Sequence, residues 1–317
     1  MRAIIDIGTN SVRLLLAEKD DKDEWKVLKK DLRSSRLGEG MTDTACIGQG
    51  ARERTLQAVE GFVKEAKEAG ADEIFAYGTS IMRDAGNGPD FAKLVEETTG
   101  VKVRILSGTE EAYYSYIGAA GTPGVLTAVV DIGGGSTEIC MGFGTDVGMC
   151  HSFQLGCVRC SKQFDTTTAR GLSMLKKHCF ELFRTTDLME YIRNVKRWIG
   201  VGGTVTSLAA MIQKLDVYDS EKVQDFVIRQ ENVTEALKKL SAMSYDERCR
   251  TKGLMPERAD IIVAGIAILD SLMEYLALSE ITVSDRDLSE GLLDADVLVP
   301  NEPKSVSYTH LTLPTIA

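Results

Sequence analysis

Short runs of apolar residues at strand-like spacing open the chain, and the same pattern returns near its middle. Residues 2–8, 11–18 and 24–37 predict one strand meander, and residues 125–131, 136–142 and 146–154 predict another. Apolar positions at helical spacing predict helices over 51–69, 88–99, 107–119, 168–191, 202–214, 231–241, 257–276 and 287–297. Further strands are predicted at 73–77, 102–105 and 280–284. Because this order occurs twice, the pattern predicts an α/β fold with an internal duplication.

The segment Thr122-Pro123-Gly124 is the predicted linker between the two copies. We therefore expect an N-terminal domain over residues 1–122 and a C-terminal domain over 123–300, with the last helix packing back onto the first domain. From Ser305 to the end the chain has no acidic residue, Lys or Arg, although 26% of the whole sequence is charged. This tail, residues 301–317, resembles a read-through artefact, and we expect it to be non-native or disordered from residue 305.

Each predicted meander contains a short polar turn after its first strand. The first turn is Asp6-Ile7-Gly8-Thr9-Asn10-Ser11 and the second is Asp131-Ile132-Gly133-Gly134-Gly135-Ser136. A hairpin tip of small residues exposes backbone N–H groups that can hold phosphate oxygens. An Asp beside the tip can hold a metal ion or orient a water molecule. Two such tips predict two related domains that face each other across a phosphate site.

The second tip is followed by Glu138, which the predicted hairpin folds back toward Asp131. Two carboxylates beside phosphate-binding amides form a plausible Mg²⁺ site, because Mg²⁺ prefers oxygen ligands together with substrate phosphates. The alternative interpretation is a plain glycine hairpin with a solvated Glu.

A third glycine turn, Gly200-Val201-Gly202-Gly203-Thr204, lies between an apolar stretch and a predicted helix. The first N–H groups of a helix bind anions, so this turn is a further candidate phosphate site. Ordinary packing of a helix on a sheet is an equally good explanation of these glycines.

Two acidic residues, Glu110 and Glu111, begin the helix that Ser107 is placed to cap. Acids at this position usually complement the helix dipole. Adjacent helical residues point about 100° apart, so one Glu can cap the helix while the other faces the interdomain cleft.

Arg83 follows a predicted strand, at the end of a strand where α/β proteins bind ligands. It could hold phosphate through two hydrogen bonds, and its alternative role is a surface salt bridge. The densest basic stretch is Lys29, Lys30, Arg33 and Arg36, which could steer a polyanion, although a solvated strand face is the more common explanation.

Composition excludes some classes of function. The formal net charge of −10 argues against general nucleic-acid binding. No apolar run reaches the roughly 20 residues of a membrane span, and the N-terminus enters a strand without a signal peptide. Seven scattered cysteines are typical of free thiols in a reducing compartment, so we expect a cytoplasmic protein without membrane contact.

One group of possible zinc ligands, Cys150, His151, Cys157 and Cys160, contains a C-x₂-C spacing. No second C-x₂-C follows it in the chain. Because the intervening residues are apolar, a strand and core interpretation is favoured over a zinc site.

Taken in order, these motifs resemble the exopolyphosphatase/guanosine pentaphosphate phosphatase (Ppx/GppA) family of the actin-like superfamily, which includes sugar kinases and heat-shock ATPases. The most specific stretches are Ser-Gly-x-Glu-Glu-Ala at 107–112 and Asp-Ile-Gly-Gly-Gly-Ser-Thr-Glu at 131–138. The resemblance spans residues 4 to about 295. It implies two actin-like (ribonuclease H-like) domains, each a mixed sheet flanked by helices, around an interdomain cleft. It also implies the short, two-domain form of the family.

The resemblance assigns a role to each motif. Glu111 matches the family's general base, which activates the attacking water, and Asp131 and Glu138 match metal-binding residues. Phosphate-binding positions are matched by Asp6, Thr9, Asn10, Ser11, Arg83, Gly133, Gly134, Ser136, Gly202, Gly203 and Thr204. Implied cofactors are Mg²⁺ and a monovalent cation such as K⁺, and a homodimer is a family-level expectation. Two departures, Ser289 where many members have Arg and Cys160-Ser161-Lys162 after Arg159, bear on substrate preference.

The expected activity is Mg²⁺-dependent hydrolysis of the terminal phosphoanhydride of inorganic polyphosphate, with release of orthophosphate. Conversion of the guanosine polyphosphate pppGpp to ppGpp is the alternative enzymatic reading, because only recognition of the leaving group differs. A sensor that binds an alarmone or polyphosphate without turnover is a second alternative, against which the intact Glu111, Asp131 and Glu138 argue. A kinase or ATPase of the same superfamily fits least, because the chain has the Glu111 motif and no recognisable acceptor-site pattern.

Overall fold

A computed structural model describes residues 1–40, 46–121, 124–186 and 188–293 of the chain. Its first half contains a five-stranded sheet in the order β3-β2-β1-β4-β5. The strands are β1 (Arg2–Ile7), β2 (Val12–Lys19), β3 (Trp25–Arg33), β4 (Glu73–Gly78) and β5 (Val103–Ile105). Strands β1 to β3 are antiparallel, whereas β4 pairs with β1 and β5 pairs with β4 in parallel.

The second half repeats this arrangement in a six-stranded sheet with the order β10-β11-β9-β6-β7-β8. Its strands are β6 (Thr127–Ile132), β7 (Thr137–Phe143), β8 (Asp146–Phe153), β9 (Arg197–Val201), β10 (Val227–Arg229) and β11 (Glu280–Val283). The antiparallel meander β6 to β8 and the parallel strands β9 and β11 follow the order of the first sheet. The predicted α/β class with duplicated actin-like architecture is therefore confirmed.

Helices cover both sheets. They are α1 (Gln49–Glu68), α2 (Ser80–Asp84), α3 (Gly88–Thr99), α4 (Gly108–Ala120), α5 (Cys157–Gln163), α6 (Ala169–Phe183), α7 (Leu188–Tyr191), α8 (Gly202–Ile212), α9 (Ser220–Val223), α10 (Gln230–Ser241), α11 (Tyr245–Cys249), α12 (Ile262–Tyr275) and α13 (Leu288–Gly291). Single 3₁₀ turns occur at Ile192–Asn194 and Pro256–Arg258. The two large cores lie between the sheets and these helices, with Phe62 and Phe91 buried in the first and Phe183 in the second.

Several predicted boundaries were wrong for identifiable reasons. The predicted helix 168–191 ends at Phe183, where the hydroxyls of Thr185 and Thr186 donate to the carbonyls of Leu182 and Phe183. Such local side-chain bonds compete with continuation of a helix. The predicted strand 24–37 ends at Arg33, because the chain leaves the sheet and bonds to the first tip instead. The linker at 122–123 and the tail from residue 294 lie outside the described residues.

Two helices lie between the sheets and tie the halves together. Helix α4 follows the first sheet in sequence, but its Ala112 and Tyr116 pack on Val129 and Ile199 of the second sheet. Helix α13 follows the second sheet, but its Leu288 belongs to the apolar cluster of the first sheet. The core of each sheet is therefore completed by residues from the other half. The proposed domain boundary itself stays a prediction.

Close backbone contact between α4 and α13 requires a glycine. A Cβ atom on Gly118 of α4 would lie 2.0 Å from the Asp287 carbonyl oxygen. The helix that carries Glu111 is thereby held against the end of the second half.

We predict that Gly118→Ala destabilises the protein by about 1 to 3 kcal/mol, because the new methyl group must push two backbones apart. The matched control is Gly50→Ala in α1, where an added Cβ meets Arg54 at an ordinary 3.6 Å. That control should gain up to about 1 kcal/mol from helix propensity. Urea unfolding measures both variants, and equal unfolding midpoints would contradict the backbone contact.

Candidate active site

The two predicted tips have the same backbone geometry. In the first tip the Gly8 N–H donates to the Ser11 carbonyl at 3.0 Å, and in the second Gly133 donates to Ser136 at 3.0 Å. Each turn connects the first two strands of its meander, as the sequence predicted. Both tips therefore present small residues at the same end of their sheets.

The tips face each other at close range. A Cβ atom on Gly134 would lie 2.8 Å from the Thr9 Cβ, and one on Gly135 would lie 2.4 Å from the Ser80 hydroxyl. Any larger side chain at these two positions would push the halves apart. Glycine is thus required for the backbones of the two halves to share one narrow cleft.

Asp131 and Glu138 stand directly opposite each other on β6 and β7, so their side chains point to the same face of the sheet. The Asp131 carboxylate accepts a 2.8 Å hydrogen bond from Ser115, and that of Glu138 accepts one of 2.7 Å from Ser152. The two carboxylates therefore lie side by side on one face of the sheet, and their convergence on a ligand pocket stays a prediction.

The third glycine turn lies beside this pair, at the junction of β9 and α8. Gly202 has φ +83°, and a Cβ atom there would lie 2.5 Å from Asp131 Oδ1. Gly202, Gly203 and Thr204 form the first turn of α8, the helix end at which backbone N–H groups can bind an anion. Gly200 lies within β9 and packs against Val205 and Ile281. Its small size is therefore explained by packing of the helix on the sheet.

The adjacent acids of α4 divide their tasks as the helical geometry predicted. Glu110 forms a capping box, accepting a 2.8 Å hydrogen bond from the Ser107 N–H. Glu111 is buried at 6% exposure and pairs with the Arg83 guanidinium. Arg83 also donates at 2.8 Å to the Leu106 carbonyl, which fixes its orientation. Glu111 and Arg83 therefore belong to the cleft, whereas Glu110 belongs to the helix end.

Burial raises the pKa of four carboxyl groups in the cleft. Loss of solvation raises the pKa of Asp131 to about 6, that of Asp6 to about 7 and that of Glu138 to about 8. Burial, and then the neighbouring Glu138, hold the pKa of Glu111 well above its usual range, and Arg83 opposes this shift. Such shifts cluster at functional sites, because catalysis at neutral pH needs groups that titrate near pH 7.

Some polar atoms of the cleft have no hydrogen-bond partner among the described residues. They are Asp6 Oδ1, Asn10 Nδ2 and Arg83 Nη2, all buried. Buried polar groups are normally satisfied, so these atoms are suited to binding a polar ligand. Asp131 and Glu138 supply hard oxygen donors, which fit a Mg²⁺ ion that takes its remaining ligands from water and substrate. Within the described part of the chain no group of three or more His, Cys, Asp or Glu side chains could hold a metal alone.

Arg258 is a cleft residue to which the sequence analysis gave no role. Its side chain is buried, and its guanidinium lies against the backbone of Gly203, where an added Cβ would overlap it at 1.9 Å. Its guanidinium forms no hydrogen bond or ion pair with a described residue, and burial lowers its pKa to about 10. A buried, unpaired cation beside a glycine turn is suited to an anion. One feature of the sequence could have identified Arg258. It is a basic residue at the start of the predicted helix, a position at which the helix dipole disfavours positive charge.

Other candidate residues have local explanations. Lys29 and Arg33 pair with Glu65, Lys30 pairs with Asp285 at 3.0 Å, and Arg36 pairs with Asp260 at 3.2 Å. These ion pairs favour a solvated strand face over a polyanion-steering role for the basic stretch.

The zinc ligands do not assemble among the described residues, and Cys150 and His151 lie in β8, as the strand interpretation predicted. Cys150 forms a disulfide with Cys140 on the neighbouring strand, which also corrects the expectation of seven free thiols. Cys157 and Cys160 lie buried in α5, so this stretch is a helix. In the described ranges, no helix has the length and apolar character needed to cross a membrane.

A duplicated α/β fold with facing glycine tips and buried carboxylates defines a phosphoryl-transfer type of site. The sequence model of the Ppx/GppA phosphatase family matches residues 15–299, and the chain belongs to this family. Exopolyphosphatase 2 of Mycobacterium tuberculosis is 29% identical over 308 residues, which are 92% of this chain and 96% of that protein. A bifunctional 3-dehydroquinate synthase/phosphatase of Fusobacterium nucleatum is 31% identical, but the chain spans about half of it, 46%.

Solved structures agree with this assignment. The crystal structure of the Aquifex aeolicus Ppx/GppA family member has a TM-score of 0.76 and 28% identity, over 92% of this chain and 95% of that one. An exopolyphosphatase from Cytophaga hutchinsonii has a TM-score of 0.84 and 25% identity, over 92% and 96% of the two chains. The fold of the chain is thus that of the family.

We predict that Glu138→Gln stabilises the protein at pH 8 in the absence of divalent cations. A carboxyl whose pKa is raised on folding, here to about 8, stabilises the fold at low pH, and this contribution is lost as pH rises from about 4 toward 8. Gln mimics the protonated form and does not titrate. Its melting temperature should exceed that of wild type by roughly 2 °C or more at pH 8 and match it near pH 5. A constant difference across this range would contradict the buried-carboxyl account.

Proposed function

We propose that this protein is an exopolyphosphatase that hydrolyses the terminal phosphoanhydride of inorganic polyphosphate and releases orthophosphate. The observation that carries the proposal is the position of Glu111, a buried carboxylate held by Arg83 in the cleft of the two tips. Membership of the Ppx/GppA phosphatase family and the exopolyphosphatase relative support the reaction class.

The chemistry asked of these residues is positioning and charge stabilisation. Backbone N–H groups of the tips and of the Gly202–Gly203 turn would hold phosphoryl oxygens, and Arg83 would neutralise part of their charge. Glu111 would orient the attacking water and accept its proton, for which a raised pKa suits a base working near neutral pH. Asp131 and Glu138 would hold Mg²⁺, which when bound would neutralise charge on the terminal phosphate and the leaving chain.

Hydrolysis of pppGpp to ppGpp is the second candidate, and a cavity beside the third glycine turn supports it. Next to Gly203 lies a cavity of about 1320 Å³ whose walls include Leu215, Tyr218 and Met255. Leu215, Tyr218 and Met255 would suit a nucleoside, whereas the basic residues of the same walls, among them Lys29 and Arg286, would suit the phosphates of either substrate. Because the cut bond is the same for both substrates, the residues proposed for water activation and metal binding also stay the same.

Glu111→Gln should leave the fold and substrate binding intact and lower turnover by about 10² to 10⁴, the usual cost of removing a general base. The matched control is Glu110→Gln, one residue away, which alters the helix cap but not the cleft. Orthophosphate release from polyphosphate at saturating Mg²⁺ measures both variants. Near-normal turnover of Glu111→Gln would remove this residue from the mechanism, and an equal loss in Glu110→Gln would indicate a disturbed helix instead.

Metal dependence gives a second test. Chelation by EDTA should abolish turnover, and Asp131→Asn should raise the Mg²⁺ concentration for half-maximal rate at least tenfold, by roughly the factor known for weakened metal sites. Asp270→Asn is the matched control, because that buried Asp bonds to Gln230 and Thr234 instead. An unchanged Mg²⁺ requirement in Asp131→Asn would exclude Asp131 as a metal ligand.

The two substrates are distinguished by measuring phosphate release from long-chain polyphosphate and from pppGpp with the same enzyme preparation. Faster release from polyphosphate supports the exopolyphosphatase assignment, and release from pppGpp alone assigns the protein to the second candidate. Binding of either ligand without release would indicate a sensor.

A further inference from the structure

Arg159 of α5 connects the two halves beside the second tip. Its Nε–H donates at 2.7 Å to the Gly135 carbonyl, and its backbone N–H bonds to Gly134 O at 3.1 Å. Its Nη2 reaches across the cleft and pairs with Asp84 of α2 at 2.6 Å. The guanidinium is thus fixed to the tip of one half while it binds a carboxylate of the other.

Asp84 is shared between two arginines. One carboxylate oxygen pairs with Arg159 and also accepts a 3.1 Å hydrogen bond from Ser80, while the other lies 3.7 Å from Arg83 Nε. Arg83 in turn holds Glu111. Charges therefore alternate without interruption from the second tip to the proposed base, in the order Arg159, Asp84, Arg83 and Glu111.

We propose that Arg159 is a positioning residue that, through Asp84, sets Arg83 against Glu111 when the two tips meet. The proposal rests on the function proposed for Glu111. Because the Arg159 guanidinium holds the Gly135 carbonyl and Asp84 at the same time, the alignment of the base depends on how the second tip lies against α2.

The expected effect of removing Arg159 follows from the position of Asp84 between Arg83 and Arg159. With Arg159 in place, part of the Asp84 charge is neutralised from the far side of the cleft. Without Arg159, the same carboxylate attracts Arg83 more strongly, because opposite charges in a partly desolvated site interact over several ångströms. Arg83 would then shift toward Asp84 and release Glu111. Small errors of position in a catalytic group can cost up to about 100-fold in rate.

The test is a double-mutant cycle of Arg159→Gln, Asp84→Asn and both together, with kcat and KM measured on the substrate that wild type prefers. We expect Arg159→Gln to lower kcat roughly 10- to 100-fold with a smaller change in KM. Asp84→Asn should lower kcat less, because it removes the carboxylate that would draw Arg83 away from Glu111. The double variant should be no slower than the slower single one, because both changes break one relay. Arg159→Lys, which keeps the charge, should recover part of the loss.

The matched control is Arg36→Gln. Arg36 also joins the halves, through an ion pair with Asp260 at 3.2 Å, but it contacts neither Arg83 nor Glu111. If Arg159 acted only as a tether, Arg36→Gln would lower kcat equally. We expect its kcat to stay within about twofold of wild type, as is usual for exposed ion pairs.

A readout independent of turnover is the ¹⁵N–¹H resonance of Arg83 Nε, assigned with Arg83→Lys. It should move in Arg159→Gln and stay in place in Arg36→Gln. An unmoved resonance, additive losses in the cycle, or an unchanged kcat in Arg159→Gln would each overturn the proposal. If wild type releases no phosphate from any phosphoanhydride, the proposed function fails, and the resonance alone then decides whether Arg159 positions Arg83.

Discussion

Burial of several carboxylates in one cleft is the constraint on which the rest of this structure depends. Asp6, Glu111 and Glu138 are each less than a tenth exposed, Asp131 is partly buried, and loss of solvation raises the pKa of all four. Carboxylates that repel one another stay together only if the surrounding fold is rigid and supplies compensating charge. Many other features of the cleft supply this rigidity and this compensating charge.

The duplicated fold provides the rigidity. Each half ends its first strand with an Asp, turns through small residues, and returns along a second strand that carries a partner side chain. In the first half the partner of Asp6 is Arg13, and in the second the partner of Asp131 is Glu138. The first tip therefore places an Asp opposite an Arg, which forms an ion pair with Asp287 near the end of the second half, and the second tip places two like charges opposite each other. Such an asymmetry lets one motif serve two purposes, anchoring one half while leaving the other suited to a cation.

Compensating charge comes from arginines on several elements. Arg83 follows β4, Arg159 lies in α5 and Arg258 precedes α12, so they meet only in the folded protein. Arginine suits this task because its planar guanidinium keeps its charge when buried and forms two hydrogen bonds at once. The closeness of the tips, which requires Gly134 and Gly135, brings Arg159 within reach of Asp84 in the opposite half.

Local sequence was enough to predict part of this site. The turns at 6–11 and 131–136 have a signature that depends on neighbouring residues only, and the division between Glu110 and Glu111 follows from helical geometry. The roles of Arg159 and Arg258 depend on contacts with residues far away in the chain, about which no local pattern carries information. For the same reason α5 was missed, since its seven residues are too few for a clear helical period.

The central claim is that water attacks the terminal phosphoryl group of a phosphoanhydride held between the two tips. Its most direct test is hydrolysis of tripolyphosphate with Mg²⁺ in ¹⁸O-labelled water, followed by ³¹P NMR. The account predicts that one ¹⁸O atom enters each released orthophosphate and none enters the pyrophosphate that remains. Label in the pyrophosphate would place the attack on the wrong phosphorus, and absence of any hydrolysis of tripolyphosphate, longer polyphosphate or pppGpp would contradict the claim altogether.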